Sequence, residues 1–550
     1  MSNTRTRLSG REFDRKMYAY LNGLQQQSLS RRGVLKAGAA VASAGAAIAA
    51  MPSILPGIGV LAQDGETLTF GLESDPRAVE PALGYDFTAN VVICNITEGP
   101  VMVDPSGALQ PLLAETYEQP DQLTYIYNLR SGVKFHDGSE MTAADVIASI
   151  ERVRNPAIAS PMAWMFDPAE SIEATGDMQV TIKLTEPSGT FQYVMSTTAG
   201  HVMPKSLIDS TLDTPTQSPI GTGPYKFDSW EAGSEITLQK HDEYWQEGKP
   251  YFQTAVFKVI TDPTTRTAGL STGELQMVRD IQPDQLAVVQ GIENVELLEV
   301  VGYTCEMVVM RNDQEPFNDA NVRKAVSMAI DVPSILENLY LGAAVQANST
   351  TVPPTMPGSA ADQLAPVAFD VDGAKAALAE SAFPDGFDTK LLVDSESTLR
   401  VAEAQAIQQM LAEIGVNVEI EQVPQADRIT AFQTGEYEGM AFHEWGADFP
   451  DANGMLLPLF LSTSIPPQNN QSYYSNPDVD ALLLGAEAEA DPETRTQMLI
   501  DAQKQIAADM PLVWLDHNKW FMAKDKSLTG YTIHPLFYWD AFMRDLKKAE

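Results

Sequence analysis

The chain has 550 residues, 44% hydrophobic and 20% charged, which is long enough for two or three domains with buried cores and too apolar for a disordered protein. Acidic residues outnumber basic ones by 74 to 36, giving a formal net charge of −38. This charge argues against nucleic acid and anionic membrane surfaces as partners, because both repel an acidic protein. A well-solvated acidic surface and the recruitment of a cationic ligand both remain open as explanations.

The first 62 residues differ from the rest of the chain, with eight Lys or Arg against two acidic residues. Arg31 and Arg32 precede a weakly apolar, Ala- and Gly-rich stretch that ends in small residues near Ala62. A basic start, an apolar core and a small residue for cleavage are the features of an export signal. The Arg-Arg-Gly-Val-Leu-Lys segment resembles the twin-arginine motif, although Val34 replaces its usual Phe. We therefore predict an export signal at residues 1–62 and a periplasmic mature protein, with twin-arginine and general secretory export both open.

The mature chain alternates between strand-like and helical patterns. The strand-like runs are TLTFGLE, LTYIYNLR, VTIKLTE, ITLQKH and AVFKVI, and the clearest helical runs are TAADVIASIERV, NVRKAVSMAI, RVAEAQAIQQMLAEI and ETRTQMLIDAQKQIAADM. In RVAEAQAIQQMLAEI, the apolar Val401, Ala404, Ile407 and Leu411 recur at three- and four-residue spacing, as on one face of a helix. The mixture predicts an α/β protein with several sheets.

His136 and Asp137, in the stretch NLRSGVKFHDGSEMTAADV, are the first candidates for catalysis. Asp137-Gly138 suits a tight turn, and Thr142 stands three residues before Asp145, as in a capping box for the helix that follows. His136 has no nearby Ser or Cys nucleophile and no second histidine for a metal. The pattern therefore favours a structural turn over half of a catalytic site.

A match to the serine hydrolase motif G-x-S-x-G occurs at GLSTG, with Ser271 at its centre. A nucleophile elbow needs a strand before the serine and a helix after it. Here DPTTRTAGL reads as a helix that ends at Gly273, and ELQMVRDI reads as the strand that follows. An exported serine hydrolase is therefore the disfavoured alternative.

Cysteines and histidines give no sign of a metal or cofactor site. The two cysteines, Cys94 and Cys305, are far apart and lack metal-ligand spacing. A disulfide between them and two separate buried thiols are both open. The six histidines are scattered, without an H-E-x-x-H motif. We predict no cofactor and no resident metal.

Six segments follow one another along the chain: PLLAETYEQPDQLTYIYNLRSGVKFHDGSEMTAADV, GTGPYKF, HDEYWQEGKPYF, PFNDANVRKAVSMAID, YYSNPDVDALL and AQKQIAADMPLVWL. Together they resemble the family 5 extracellular solute-binding proteins, which are the oligopeptide-, dipeptide- and nickel-type receptors of ABC importers. The resemblance covers nearly all of the mature chain. It implies a monomeric periplasmic receptor that performs no chemistry, captures a peptide or similar small polar solute, and delivers it to an inner-membrane ABC permease.

The resemblance also implies a two-lobed, clam-shell α/β fold with an extra domain inserted in the first lobe. Lobe 1 would comprise residues 63–100, 200–300 and 515–550, with the inserted domain at 101–199. Lobe 2 would be the single stretch 301–514. The ligand would lie between the lobes and be trapped by hinge closure.

The segment FHEWGADFPDANG, residues 442–454, is the main candidate for ligand binding. In peptide-binding members a Trp-x-x-Asp-like stretch here supplies a carboxylate for the amino group of the ligand, and Trp445 and Asp448 match that pattern. A desolvated carboxylate holds an ammonium through a charge-assisted bond, and an indole face adds cation–π attraction. A turn-capping Asp beside a core Trp is the structural alternative.

Two further candidates are Tyr85 and Arg311. Tyr85 lies in EPALGYDF, where family members approach the ligand, so it could stack on the ligand or donate a hydrogen bond to it. An ordinary loop aromatic is equally compatible with the sequence. Arg311 follows a buried-looking strand and could pair with a ligand carboxylate, although a salt bridge at the hinge is favoured.

The second end of a peptide ligand lacks an obvious clamp. Dipeptide-type members have an arginine shortly before the helix that precedes Ile-Gly-Val, whereas LLVDSESTLR has Asp394 and Glu396 there. Arg400 lies further along, where a helix face can present it to solvent. This departure puts a free dipeptide in doubt. A longer peptide, an amine-bearing solute and a non-peptide ligand stay open.

Overall fold

The structure is a computed structural model that describes residues 67–536 and 543–549. The predicted export signal at residues 1–62 lies outside the described residues. The strands are β1 Thr67–Leu72, β2 Val101–Val103, β3 Leu109–Pro111, β4 Ala114–Asp121, β5 Thr124–Leu129, β6 Ala169–Gly176, β7 Gln179–Leu184, β8 Tyr225–Glu231, β9 Glu235–Lys240, β10 Thr254–Val259, β11 Met277–Arg279, β12 Val295–Val301, β13 Thr304–Met310, β14 Ala344–Gln346, β15 Phe387–Asp394, β16 Val416–Val423, β17 Met440–Gly446, β18 Leu512–Asp525, β19 Leu528–Thr529 and β20 Lys547–Lys548.

Helices alternate with these strands, and the α/β prediction is confirmed. The α-helices are α1 Phe87–Ile96, α2 Ala143–Arg154, α3 Lys205–Thr211, α4 Pro263–Thr272, α5 Leu286–Gln290, α6 Ala320–Met328, α7 Val332–Ile335, α8 Val371–Ala379, α9 Thr398–Ala412, α10 Gln425–Thr434, α11 Asn453–Phe460, α12 Pro477–Ala488 and α13 Pro492–Asp509. Throughout the part of the chain that the structure describes, no helix combines the length and hydropathy of a membrane span.

One mixed sheet organises most of the strands. Its order is β16-β15-β17-β13-β18-β11-β1-β10-β9-β8, with β12 and β14 also paired to β18. The strands on one side of β18 come from before residue 280 and those on the other side from after residue 303. Two halves of the sheet, built from separate parts of the chain, therefore meet at β18.

β18 hydrogen-bonds to both halves because it is 14 residues long. Its first part pairs with β13 and β14, from Leu512 to Asn518. Its second part pairs with β12 and β11, from Lys519 to Asp525. The second connection between the halves is the short link from β12 to β13, where Gly302 donates its backbone N–H to the Asn518 carbonyl at 2.9 Å.

A second, four-stranded antiparallel sheet is separate from the main one. Its order is β4-β5-β7-β6, and it packs against α2. Thr142 and Asp145 form the expected capping box at the start of α2, and Gly138 has the positive φ of +87° that the preceding turn requires. This sheet falls inside residues 101–199, where the inserted domain was predicted; a separate domain there stays a prediction.

Candidate ligand-binding site

A cavity of about 30 Å³ lies where distant parts of the chain meet. This volume has room for roughly two water molecules. The lining comes from the start of α1 and its preceding loop, from residues near 165 and 197, and from the loop after β17. Nine of the described residues line it: Tyr85, Asn90, Cys94, Met162, Met165, Ser196, Thr197, Thr198 and Asp448.

Asp448 is the charged residue of this lining. β17 ends at Gly446, and the next backbone N–H, of Ala447, donates to the Tyr303 carbonyl at 2.9 Å. This bond fixes the exit of the chain from the sheet and places Asp448 just beyond it. A loop immediately after a rigid strand is a usual position for a binding residue.

Tyr85 reaches Asp448 from the opposite end of the chain. Its hydroxyl donates a hydrogen bond of 2.6 Å to Asp448 Oδ1, across 363 residues of sequence. Burial raises the pKa of the half-buried Asp448 carboxyl above its ordinary value, and the hydrogen bond from Tyr85 opposes that shift. Among the nine lining residues there is no Lys, Arg or His. The structure therefore brings two predicted site residues together around a carboxyl that no cation of the described lining neutralises.

Trp445 does not line the cavity, although it is three residues from Asp448. Its indole N–H donates to the Gly454 carbonyl at 3.1 Å, and its half-buried ring packs against the largest hydrophobic core. This contact fastens β17 to the start of α11. A ligand contact by Trp445 stays a prediction.

Arg311 lies away from the cavity and is occupied by the protein itself. Its guanidinium makes two bonds of 2.9 Å to Asp313. It also donates to the carbonyls of Gly435 and Tyr437, at 2.9 and 2.8 Å, and stacks 3.9 Å from the ring of Tyr473. These contacts favour the salt-bridge alternative over a bond from Arg311 to a ligand.

Sequence reasoning missed most of the cavity wall. Cys94 is buried on α1, and the mainly apolar sequence of this helix, FTANVVICNI, signals burial. No local pattern marks Met162 and Met165, of which Met165 lies in a short 3-10 helix and Met162 just before it. Their positions depend on packing between elements far apart in sequence.

Arg400 is turned away from solvent, contrary to the expectation from the sequence. It binds Glu306 through two bonds of 2.7 and 2.9 Å and also contacts Asp394 at 3.0 Å and Glu444 at 2.6 Å. Its side chain is only 15% exposed. The expectation that a helix face presents Arg400 to solvent was wrong, because three carboxylates on neighbouring strands surround it.

More acid than base is buried around Arg400. Burial raises the pKa of Glu306 to about 7, even though Arg400 opposes the shift. Glu403, on the buried face of α9, has a pKa raised to about 8 by burial and by the charge of Glu306. Asp516 of β18 is fully buried as well. The hydroxyl of Tyr340 faces both carboxyls.

The two motifs with reactive side chains have structural roles. His136 is half-buried, with Nε2 3.0 Å from the Gly223 carbonyl and Nδ1 accepting from the Gly221 N–H. Burial lowers the pKa of His136 to about 3, which keeps it neutral. Ser271 lies in the last turn of α4, where its hydroxyl donates to the Thr267 carbonyl at 3.4 Å. The helix-then-strand order at this serine is confirmed.

The cysteines are both buried and free, so the alternative of two separate thiols is the one found. Burial raises the pKa of the Cys94 thiol to about 12 and keeps it protonated. Within residues 67–536 and 543–549, no three His, Cys, Asp or Glu side chains are grouped so that they could hold a metal ion.

The fold and the cavity together define a class of protein. A two-lobed α/β fold whose halves meet at shared strands, with a cavity lined from distant parts of the chain, is the fold of periplasmic binding proteins. HbpA2 from Haemophilus parasuis has this fold with a TM-score of 0.81 and 25% identity, covering 88% of this chain and 100% of that one. The predicted two-lobed α/β fold is confirmed, whereas the inserted domain stays a prediction.

The sequence comparison then gives the family. Residues 108–467 match the bacterial extracellular solute-binding proteins, family 5 (middle), and the chain belongs to this family. It is 30% identical over 468 residues to the glutathione-binding protein GsiB of Salmonella typhimurium, which covers 84% of this chain and 91% of that protein. DppA from Helicobacter pylori, solved in complex with the peptide STSA, matches with a TM-score of 0.72 and 27% identity, covering 88% of this chain and 98% of that one.

Family 5 proteins bind peptides or related solutes and deliver them to the permease of an ABC importer. The predicted family and receptor function are therefore confirmed, and the serine hydrolase alternative has no support. The relatives are substrate-binding transport proteins.

Proposed function

We propose that this receptor captures an amine-bearing peptide or similar small solute through Asp448 and performs no chemistry on it. The observation that carries the proposal is the Asp448 carboxyl, which lines the cavity and has a tyrosine hydroxyl as its only side-chain hydrogen-bond partner among the described residues. A partly buried carboxylate without a cation is unfavourable, and a ligand ammonium would supply the missing charge. The net charge of −38 favours the approach of a cationic group over a distance.

The ligands named for two relatives each offer an amine to such a site. The H. pylori relative was solved with a linear peptide, and the Salmonella relative is named for glutathione. Both ligands carry a free amine, which Asp448 could bind. Trp445 would support the Asp448 loop from behind, through its bond to Gly454, and Tyr85 would lie beside the bound amine.

We further propose the lobe limits predicted above, with lobe 1 at 63–100, 200–300 and 515–550, the inserted domain at 101–199, and lobe 2 at 301–514. The arrangement of β-strands on either side of β18 supports this division. The protein would act as a periplasmic monomer after removal of residues 1–62 and would not bind nucleic acid. Arg31 and Arg32 support export by the twin-arginine route.

The test is calorimetric titration of the mature protein with a tripeptide and with the same tripeptide acetylated at its amine. We expect Asp448→Asn to weaken binding of the free-amine peptide by about 100-fold, since loss of one partner of a buried charge pair costs about 2–5 kcal/mol. Asp228→Asn is the matched control, because it makes the same charge change at an exposed position of β8. Equal binding of the acetylated peptide, or unchanged affinity in Asp448→Asn, would contradict the ammonium site.

A further inference from the structure

The wall of the cavity opposite Asp448 is uncharged. It consists of one thiol, two thioethers, three hydroxyls and one amide. The Cys94 thiol does not ionise at physiological pH, because burial raises its pKa to about 12. Asp448 is therefore the charged group that a ligand meets among the described lining residues.

The polar groups of the wall are already used by the protein. Their donors point to backbone carbonyls as follows: Asn90 to Gly84 at 3.1 Å and to Asp86 at 2.9 Å, Ser196 to Tyr193 at 2.6 Å, Thr197 to Val194 at 2.8 Å, and Thr198 to Gly84 at 2.9 Å. The hydroxyl of Tyr85 is bound to Asp448 itself. The remaining side-chain donor is the Cys94 thiol, which is a weak one.

An anion at this cavity would therefore find no cationic or strong side-chain partner among the described lining residues. A ligand carboxylate beside Asp448 would be desolvated next to a like charge, with neither a cation nor a strong side-chain donor to stabilise it. An ammonium, an amide or an apolar group meets no such penalty, and the methionine thioethers adapt readily to apolar groups.

The penalty for an anion, which an ammonium or an amide does not meet, distinguishes two kinds of peptide amine. In an ordinary α-linked peptide, the carbon that bears the terminal amine continues into a neutral amide. In a γ-glutamyl peptide, the same carbon carries a free carboxylate. That carboxylate is bonded directly to the carbon that bears the amine. When Asp448 binds the amine, the carboxylate must therefore lie at the cavity too.

We infer that the receptor selects amines whose own carbon bears no carboxylate, as in α-linked peptides, and discriminates against γ-glutamyl peptides and free α-amino acids. The inference rests on the proposed ammonium site. It deepens that site by assigning a specificity role to its neutral wall, formed by Asn90, Cys94, Met162, Met165 and Ser196 to Thr198.

The test uses three peptides that share an Ala-Gly end: Ala-Ala-Gly, γ-glutamyl-Ala-Gly and 4-aminobutyryl-Ala-Gly. The last two differ only in the carboxylate on the carbon that bears the amine. We expect calorimetry on the mature protein to give an affinity about 30-fold lower for the γ-glutamyl peptide than for the 4-aminobutyryl peptide. We also expect Ala-Ala-Gly to bind more tightly than the γ-glutamyl peptide.

Equal or tighter binding of the γ-glutamyl peptide would overturn the inference, as would a failure of all three peptides to bind. N-acetyl-Ala-Ala-Gly separates this result from the proposed function. If the acetylated peptide binds as well as Ala-Ala-Gly, the ammonium site itself is wrong, whatever the order of the other peptides. If acetylation abolishes binding while the γ-glutamyl peptide still binds tightly, the ammonium site stands and only the selectivity is refuted.

Discussion

Two buried carboxylate sites in this protein differ in where their positive charge comes from. At the cluster around Arg400, the chain supplies its own cation, which binds Glu306, Asp394 and Glu444 at 2.6 to 3.0 Å. At the cavity, Asp448 has a neutral hydroxyl at 2.6 Å and no cation in the lining. The first arrangement completes itself during folding, whereas we propose that the second is completed by a ligand that brings a charge.

The contrast shows why an arginine is not a sufficient sign of a ligand clamp. The sequence made Arg311 a candidate for a ligand carboxylate and placed Arg400 on a solvent-facing helix face, yet both are bound by carboxylates of the protein. An acid without a cation is the more informative feature, because a folded protein rarely leaves a buried charge uncompensated.

The largest expected effect comes from removing the cation of the cluster. Arg400→Met should destabilise the protein by about 3–5 kcal/mol, because it leaves Glu306 and Asp394 buried without a counter-charge. Urea denaturation of the mature protein measures this. Arg154→Met is the matched control, since its ion pair with Glu151 is exposed and should contribute less than about 1 kcal/mol. Equal effects of the two substitutions would refute the contrast.

The surplus of acid around Arg400 predicts an unusual dependence of stability on pH. The folded pKa values of Glu306 and Glu403, about 7 and about 8, lie above their ordinary value of 4.5. The folded state therefore holds protons that the unfolded state has lost, so these two groups should make stability fall as pH rises, by on the order of 3 kcal/mol between about pH 6 and about pH 9.

Denaturation curves across this range, compared with those of Glu403→Gln, test the sign. The substitution should flatten the decline, because the amide cannot ionise. Stability that rises with pH in the unsubstituted protein, with the same slope in Glu403→Gln, would show that these carboxyls are ionised in the folded state.

Substitution of Arg311 should have a smaller effect, on the stability of the protein and not on its affinity for a ligand. Arg311→Met should lower the free energy of unfolding by about 2 kcal/mol, because Asp313 and two backbone carbonyls lose their partner. The affinity for an amine ligand should stay within about twofold of the original value. Weakened binding at unchanged stability would instead make Arg311 a ligand residue.

The smallest expected effect concerns the Tyr85 hydroxyl, which donates a hydrogen bond to Asp448. Tyr85→Phe should tighten amine binding by about three- to tenfold, since the ligand no longer displaces a hydrogen bond of 2.6 Å. Titration calorimetry measures it, with Tyr117→Phe as the control at a similarly exposed tyrosine. Weaker binding in Tyr85→Phe would mean that the hydroxyl contacts the ligand.

Features with local signals were predictable from the sequence. The capping box at Thr142 and Asp145 and the helix that ends at Gly273 both formed as expected. Each depends on residues within a few positions of one another, so the sequence pattern contains the whole interaction. The α/β class follows from the same local patterns.

Contacts across long sequence distances were not predictable from local patterns. The bond between Tyr85 and Asp448 spans 363 residues, and the pair of Arg400 with Glu306 spans 94. The helical pattern of α9 located the buried face through Ala404, Ile407 and Leu411. It gave no reason to bury Glu403 on that face, because the partners of Glu403 come from other elements.

The central position of β18 has a consequence for synthesis. Both halves of the main sheet need this strand, yet it begins only at Leu512. When the ribosome has made the first 500 residues or so, neither half of the main sheet can therefore have its full set of backbone hydrogen bonds. We expect nascent chains that stop before Leu512 to remain sensitive to protease. For a chain exported by the twin-arginine route, completion of β18 would set the earliest moment at which a finished fold could leave the cytoplasm.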